Sequence, residues 1–195
     1  HVATGEDPSS AILGQSIYSF WPQTVFGTYF KALKINLAEL KKKGLGFFSF
    51  QNEMLLFTCA QLILIAIIGF YFGFNTLSFF LVSATIGALL LETVNYIEHY
   101  GLKRKRNPNG NFERVLPKHS WNSNHLLGRL MLFELSRHSD HHYLASRKYQ
   151  VLRHHDDAPQ MPTGYPGMIV LALFPPLWFR VMNRQLKKYE SIISA

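Results

Sequence analysis

The sequence predicts an all-α fold: an integral-membrane helical bundle with a transmembrane hairpin and a histidine cluster toward its cytoplasmic side. Three observations lead there. An uncharged run fills Leu55 to Phe74, and a second apolar run follows from Leu77. Lys and Arg are absent between Lys43 and Lys103, yet stand in clusters at both ends of that interval. The third is a group of histidines just beyond the second run. The apolar content of 48% is unremarkable for a soluble chain, as is the mean hydropathy of +0.02. What departs from a soluble pattern is the gathering of those residues into runs. The 195 residues show no change of composition regime, so the whole chain, 1–195, reads as a single domain.

Residues His1 to Gln23 read as a surface loop or arm. The polar opening HVATGEDPSS carries no signal-peptide pattern, and the chain is expected to begin within a longer protein. Thr24 then caps a helix whose apolar positions Phe26, Phe30, Leu33, Leu37 and Leu40 recur at helical spacing up to Gly44. Lys31 and Lys34 take the other face, and Lys41 to Lys43 close it. That pattern fits an in-plane helix on an anionic lipid surface, and equally a helix packed on the protein itself.

Leu55 to Phe74 (LLFTCAQLILIAIIGFYFGF) has the roughly 20 uncharged residues a helix needs to cross a hydrocarbon layer of about 30 Å. Asn75 and Thr76 form a short break. A second membrane helix then runs through Leu77 to Leu91 and continues at helical period to His99, about 77–99 in all. With basic clusters at Lys41–Lys43 and Lys103–Arg106, the positive-inside rule places both ends of this hairpin in the cytoplasm. The formal charge of +8 is thereby explained. No zinc-finger, RRM or basic-helix pattern accompanies it, so no nucleic-acid partner is expected.

Arg106 to Ser123 is rich in Asn, Pro and Gly and reads as a loop. A helix over about 124–143 follows, through Leu126, Leu127, Leu130, Phe133 and His138 toward Tyr143. Gly167 to Met182 contains Pro175 and Pro176 and reads as a re-entrant or interfacial segment.

The chain has nine histidines and a single cysteine, Cys59, which excludes an internal disulfide and a four-cysteine iron centre. His138, His141 and His142, at i, i+3 and i+4, share one face of a helix and form a metal-binding surface, since each neutral imidazole offers a lone pair. Iron, copper, zinc and nickel all accept such ligands. Asp140 lies between them, points elsewhere, and is an acceptor that could orient a ligand ring. His99 is the fourth candidate. Glu92, Asn95, Tyr96 and His99 make a polar stripe at i, i+3, i+4 and i+7 on an otherwise apolar helix, and such groups near lipid face an interior. Glu98 beside it could orient a ligand. Both clusters lie on the cytoplasmic side, so they can meet.

The blocks NYIEHYGL (Asn95 to Leu102), SWNSNH (Ser120 to His125), RHSDHH (Arg137 to His142), RKYQVLRH (Arg147 to His154) and PTGYPGM (Pro162 to Met168) resemble the membrane alkane 1-monooxygenases. Their order and spacing fit too, from VATGEDPSS to the Trp178-Phe179-Arg180 region. More remotely the chain is similar to the wider membrane desaturase and hydroxylase superfamily. The resemblance implies a non-haem diiron enzyme with nine histidine ligands, four of which carry over to His99, His138, His141 and His142. The other five belong to HExxxH and EHxxGHH boxes expected before VATGEDPSS, so the chain by itself is expected to be inactive. His1 follows the second box and is not counted as a ligand. His119 and His125 fall in an HSWNSNH-like stretch and support the site indirectly. His154 and His155 are expected on a solvated or ion-paired cytoplasmic surface.

By the same resemblance, the reaction turns an n-alkane and O2 into the primary alcohol, and its electrons come from rubredoxin and an NAD(P)H-dependent rubredoxin reductase. Lys103, Arg104, Lys105, Arg106, Arg147, Lys148 and Arg153 would suit an acidic donor. The protein is placed in a bacterial inner membrane with its site toward the cytoplasm. Leu62, Ile65, Phe72, Phe79, Leu90 and Leu91 could line a hydrocarbon channel or simply face lipid. Two other readings remain: a hydroxylase or desaturase acting on an aromatic methyl group or an acyl chain, and a non-catalytic membrane metal-binding protein.

Overall fold

A computed structural model describes residues 2–193, so His1 lies outside the described residues. Six α-helices follow in order: α1 (Ile17–Lys42), α2 (Glu53–His99), α3 (Leu126–Met131), α4 (His138–Tyr143), α5 (Tyr165–Ala172) and α6 (Pro175–Ile193). Among the described residues no strand forms. Only isolated bridges join Arg106 to Phe112 and Asn122 to Gln160. The chain divides into two units, 1–24 with 91–195, and 25–90.

The second unit holds the outer part of α1 and most of α2. Helix α1 ends as its sequence foretells. Gly44 takes φ 70°, its N–H bonds to Lys41 C=O at 3.1 Å, and Leu45 N–H reaches Leu40 C=O at 2.9 Å, a glycine-closed C-terminus that satisfies the last carbonyls. Phe26, Phe30 and Leu37 on its apolar face are exposed. Asn52 caps α2, its side-chain oxygen accepting from Leu55 N–H at 3.1 Å. From there α2 is long and apolar enough to cross a membrane, and its most apolar stretch is nowhere buried against protein. The helix breaks at Gly73, with φ 79° and ψ 173°, a conformation open to glycine alone. Asn75 and Thr76, where the break was expected, are helical. Thr76 donates its hydroxyl to Phe72 C=O at 2.9 Å, as a helical threonine does. Across the break Gly69 faces Leu77, whose Cδ2 would lie 3.2 Å from a Cβ on the glycine.

The first unit is built on an aromatic core of Phe20, Tyr96, Tyr100, Trp121, Tyr165 and Trp178, joined by Ile17, Met168 and Met182. The expected arm is therefore helical from Ile17 onward, with Ile17 and Phe20 buried. Ser16 accounts for the early start, its side chain accepting from Ser19 N–H at 3.3 Å. Burial of Ile17 and Phe20 outweighs the hydrogen bond that Pro22 removes. The preceding segment is stitched to the end of α2. Gly101 N–H donates to Ala11 C=O at 2.9 Å and Arg104 N–H to Ala3 C=O at 2.8 Å. Tyr96 OH reaches Gln15 C=O at 2.6 Å.

The helix expected over 124–143 is two short helices, α3 and α4. Phe133 (φ 49°) and Glu134 (φ 64°) turn the chain between them, and Arg129 holds that turn with a two-pronged ion pair to Glu134 at 2.8 and 2.9 Å. The segment expected to be re-entrant, Gly167 to Met182, is α5 and the start of α6. It buries Met168, Ala172, Trp178 and Met182 in the core while Val170, Phe174 and Leu177 stay exposed.

Candidate metal centre

Helix α4 is pinned by the residues between its histidines. Ser139 Oγ donates to Ser120 C=O at 2.9 Å, and Arg137 reaches Leu152 C=O at 2.7 Å. Asp140 accepts from Arg147 at 2.5 Å, from the Arg153 N–H at 2.9 Å and from His155 Nε2 at 2.8 Å. Burial alone would raise the Asp140 pKa, but those donors, His155 first, hold it below the usual carboxylate value. Asp140 thus fastens the RKYQVLR segment to α4 and does not touch a candidate ligand ring. With residues 137, 139 and 140 so occupied, helical geometry turns His138 and His142 the other way.

They meet His99, which ends α2. Gly101 lets the chain leave that helix with φ 74°, and a Cβ there would sit 3.0 Å from Leu186 Cδ2. The rings of His138 and His142 have centroids 4.3 Å apart, and those of His99 lie 5.0 and 5.1 Å from them. His138 Nε2 and His99 Nε2 approach to 3.3 Å. One ligand nitrogen from each of the three falls within 4.8 Å of the others. His99 and His138 are 4% and 6% exposed. Burial drives the His142 pKa down to about 3, with the neighbouring histidines adding to the effect, and it lowers His138 well below its ordinary value. Both rings are neutral at pH 7 and keep lone pairs for a cation. His99 Nδ1, His138 Nδ1 and His142 Nε2 are buried without a hydrogen-bond partner. Partnerless buried nitrogens on three rings that each bring a ligand atom within 4.8 Å of the others are what a bound metal would satisfy, so the donor set fits iron, among the metals that imidazole suits.

His141 lies beside this trio, its ring 5.7 Å from His138 and 5.3 Å from His142, and it is half-buried. Glu98 does reach the cluster. Its Oε2 is 3.2 Å from His138 Nε2, and Tyr165 OH donates to its Oε1 at 2.7 Å. Glu92 and Asn95 turn to other work, Glu92 accepting from Thr24 at 2.7 Å and from Asn95 at 3.0 Å. Tyr96 belongs to the aromatic core. His119 is held within its own loop by Leu116 N–H at 3.0 Å and Glu113 at 3.2 Å. Burial lowers its pKa, against the pull of Glu113. His125 is exposed at the start of α3. His155 is ion-paired to Asp140, and His154 lies 3.1 Å from Asp156. Sequence reasoning gives Tyr165 no role, Arg147 only a place in a basic face for an acidic donor, and His155 a place on a solvated or ion-paired surface, although all three fall in or beside its motif blocks.

A family model described as fatty acid desaturase matches residues 1–172. The chain belongs to the fatty acid desaturase family. Within that family it is 49% identical over 97% of its length to alkane 1-monooxygenase 1 of Pseudomonas aeruginosa, covering 50% of that protein. It is 45% identical to alkane 1-monooxygenase of Acinetobacter baylyi over 94% of its length and 45% of the relative's. The xylene/toluene monooxygenase hydroxylase component XylM of Pseudomonas putida is 30% identical over 94% of the chain and 48% of its own length. The chain thus spans about half the length of the curated relatives it matches.

Proposed function

We propose that the enzyme containing this chain is a membrane non-haem diiron monooxygenase that hydroxylates the terminal carbon of n-alkanes with O2. The observation that carries this reading is the meeting of His99 with His138 and His142, whose ligand nitrogens lie within 4.8 Å of one another and each of whose rings keeps a buried nitrogen without a partner. Higher identity to alkane 1-monooxygenases than to the xylene hydroxylase component supports the alkane over an aromatic methyl group.

His99, His138, His141 and His142 are the ligands this chain supplies. Four imidazoles under-ligate two irons, so the remaining ligands come from outside the motifs present here. A terminal C–H bond is strong and unpolarised, and the irons, when bound, supply the O2 activation that acid–base side chains cannot. The protein's part is to hold and orient. Asp140, Arg147 and His155 fix α4, Gly101 fixes the exit from α2, and burial of the rings keeps bulk water from them. Electrons come from rubredoxin, reduced by its NAD(P)H-dependent reductase. Lys148 and Arg153, both exposed, give that acidic donor a basic face.

The membrane placement is a bacterial inner membrane, with Glu53–Phe72 and Phe74–Leu91 as the two arms of a hairpin and the histidines on the cytoplasmic side. The Gly73 break, the approach of Gly69 to Leu77 and the one-sided Lys and Arg support it. A probe cysteine at Asn75, with Cys59 replaced, should react only from the non-cytoplasmic side. Reaction from the cytoplasm alone would end the hairpin. For the activity, the purified enzyme with reduced rubredoxin, O2 and octane should yield 1-octanol and contain two irons. Turnover of toluene without turnover of any alkane would transfer the assignment to aromatic methyl groups, and zinc without turnover would make the chain part of a metal-binding protein.

A further inference from the structure

The motif PTGYPGM is left without a role by the ligand assignment, and its tyrosine is 1% exposed. Tyr165 begins α5 with a proline in the first helical turn, so its backbone is set before its side chain is placed. Gly128 of α3 packs beside its ring: a Cβ there would lie 3.6 Å from Tyr165 Cδ2, ordinary van der Waals contact. The ring is part of the aromatic core, and its hydroxyl is aimed at Glu98 Oε1, 2.7 Å away. The other oxygen of the same carboxylate faces His138 Nε2 at 3.2 Å. The terminal torsion of a glutamate is broad and nearly two-fold, so without a fixed donor the carboxylate plane would be free to turn against the imidazole. Trp121 N–H fixes only the Glu98 backbone carbonyl, at 2.8 Å.

We propose that Tyr165 is a positioning residue of the metal centre: its hydroxyl fixes the Glu98 carboxylate, and that carboxylate fixes the ring of His138. The inference rests on the ligand assignment above and extends it by a chain of two contacts running from α5 to α4 through the end of α2. Carboxylates that orient metal-bound imidazoles raise affinity on the order of 10- to 100-fold. Here the carboxylate itself needs orienting.

The test compares wild type, Y165F, E98Q and the double variant in the purified enzyme, by chelator competition for Fe(II) and by the visible d–d bands of Co(II) in the same site. Y165F keeps the ring and its packing and should lower Fe(II) affinity by about 10-fold, with a shift in the Co(II) bands. The double variant should be no worse than E98Q, because Tyr165 acts through Glu98. Should Y165F fold poorly, Glu98→Asp takes its place, since it keeps the buried carboxyl group, shortens the reach to Tyr165, and should reproduce the Co(II) shift. Wild-type bands and affinity in Y165F and Glu98→Asp, or additive losses in the double variant, overturn the inference alone. A wild-type enzyme that takes up neither metal overturns the ligand assignment and this inference with it.

Discussion

Two stretches of the one helix α2 are solvated in opposite ways. Along its apolar length the large side chains stand bare, Ile63 at 60%, Phe70 at 84% and Phe79 at 76% exposure. At its end, Tyr96 to Tyr100 are all buried, including the ionisable Glu98 and the polar His99. In a water-soluble protein the order would be reversed. The difference teaches that the apolar run is written for lipid and not for a core, whereas the polar end survives burial because protein partners receive it. Glu98 has Tyr165 and His138, and His99 has the two rings of α4. The boundary falls near Glu92, where Thr24 returns to the helix.

Breaking the buried end should have the largest effect. His138→Ala is expected to abolish hydroxylation and cut iron content far beyond the roughly 100-fold loss that a supporting residue can cause. Retained iron and turnover would separate this end from the chemistry altogether. The same change at His141 sharpens the picture, because undiminished iron there would reduce the ligand set to the three rings the fold gathers. Next comes Asp140→Ala, which leaves Arg147 and His155 without their shared acceptor. Removing one partner of a buried ion pair costs about 3 kcal/mol, read as a lower thermal midpoint with the iron still bound below it. At the lipid-facing stretch, Ile63→Arg should oppose insertion by about 3 kcal/mol and reduce the membrane-integrated fraction on carbonate extraction. Full insertion would mean this stretch is not in hydrocarbon. The smallest of these effects is at Gly73→Ala, about 1–3 kcal/mol for forcing a side chain into a glycine-only conformation. Its thermal midpoint should fall, and an unchanged value would show that the break can be made elsewhere.

Much of this comparison is legible in the residues themselves. The uncharged run, the glycine end of α1 and the i, i+3, i+4 histidines each follow from local chemistry. The places where reading fails share a cause, since their determinants are tertiary. Nothing in LLGRLMLFELSRH warns of a turn, because Phe133 and Glu134 are not turn residues. The Arg129 to Glu134 pair that stabilises the turn spans five positions, a spacing a helix does not favour. Pro22 hides the early start of α1, which burial of Ile17 and Phe20 enforces. The break at Gly73 lies two residues before the Asn-Thr pair that composition favours. Asp140 has the residue type of a ligand-orienting acceptor, and only the fold shows its acceptors spent on Arg147 and His155. Tyr165 could not have been paired with Glu98 from spacing, as 67 residues separate them.

The stitching of residues 3–15 onto the end of α2 also sets an order of events during synthesis. Ala3 and Ala11 receive their donors from Arg104 and Gly101, some ninety to a hundred positions later, so the early segment waits on the ribosome for the late one. Between them lies the whole of 25–90. The platform that carries His99 therefore cannot assemble until residues 25–90 have been made. Until the late segment arrives, the early one stays without its backbone partners and open to chaperones and proteases.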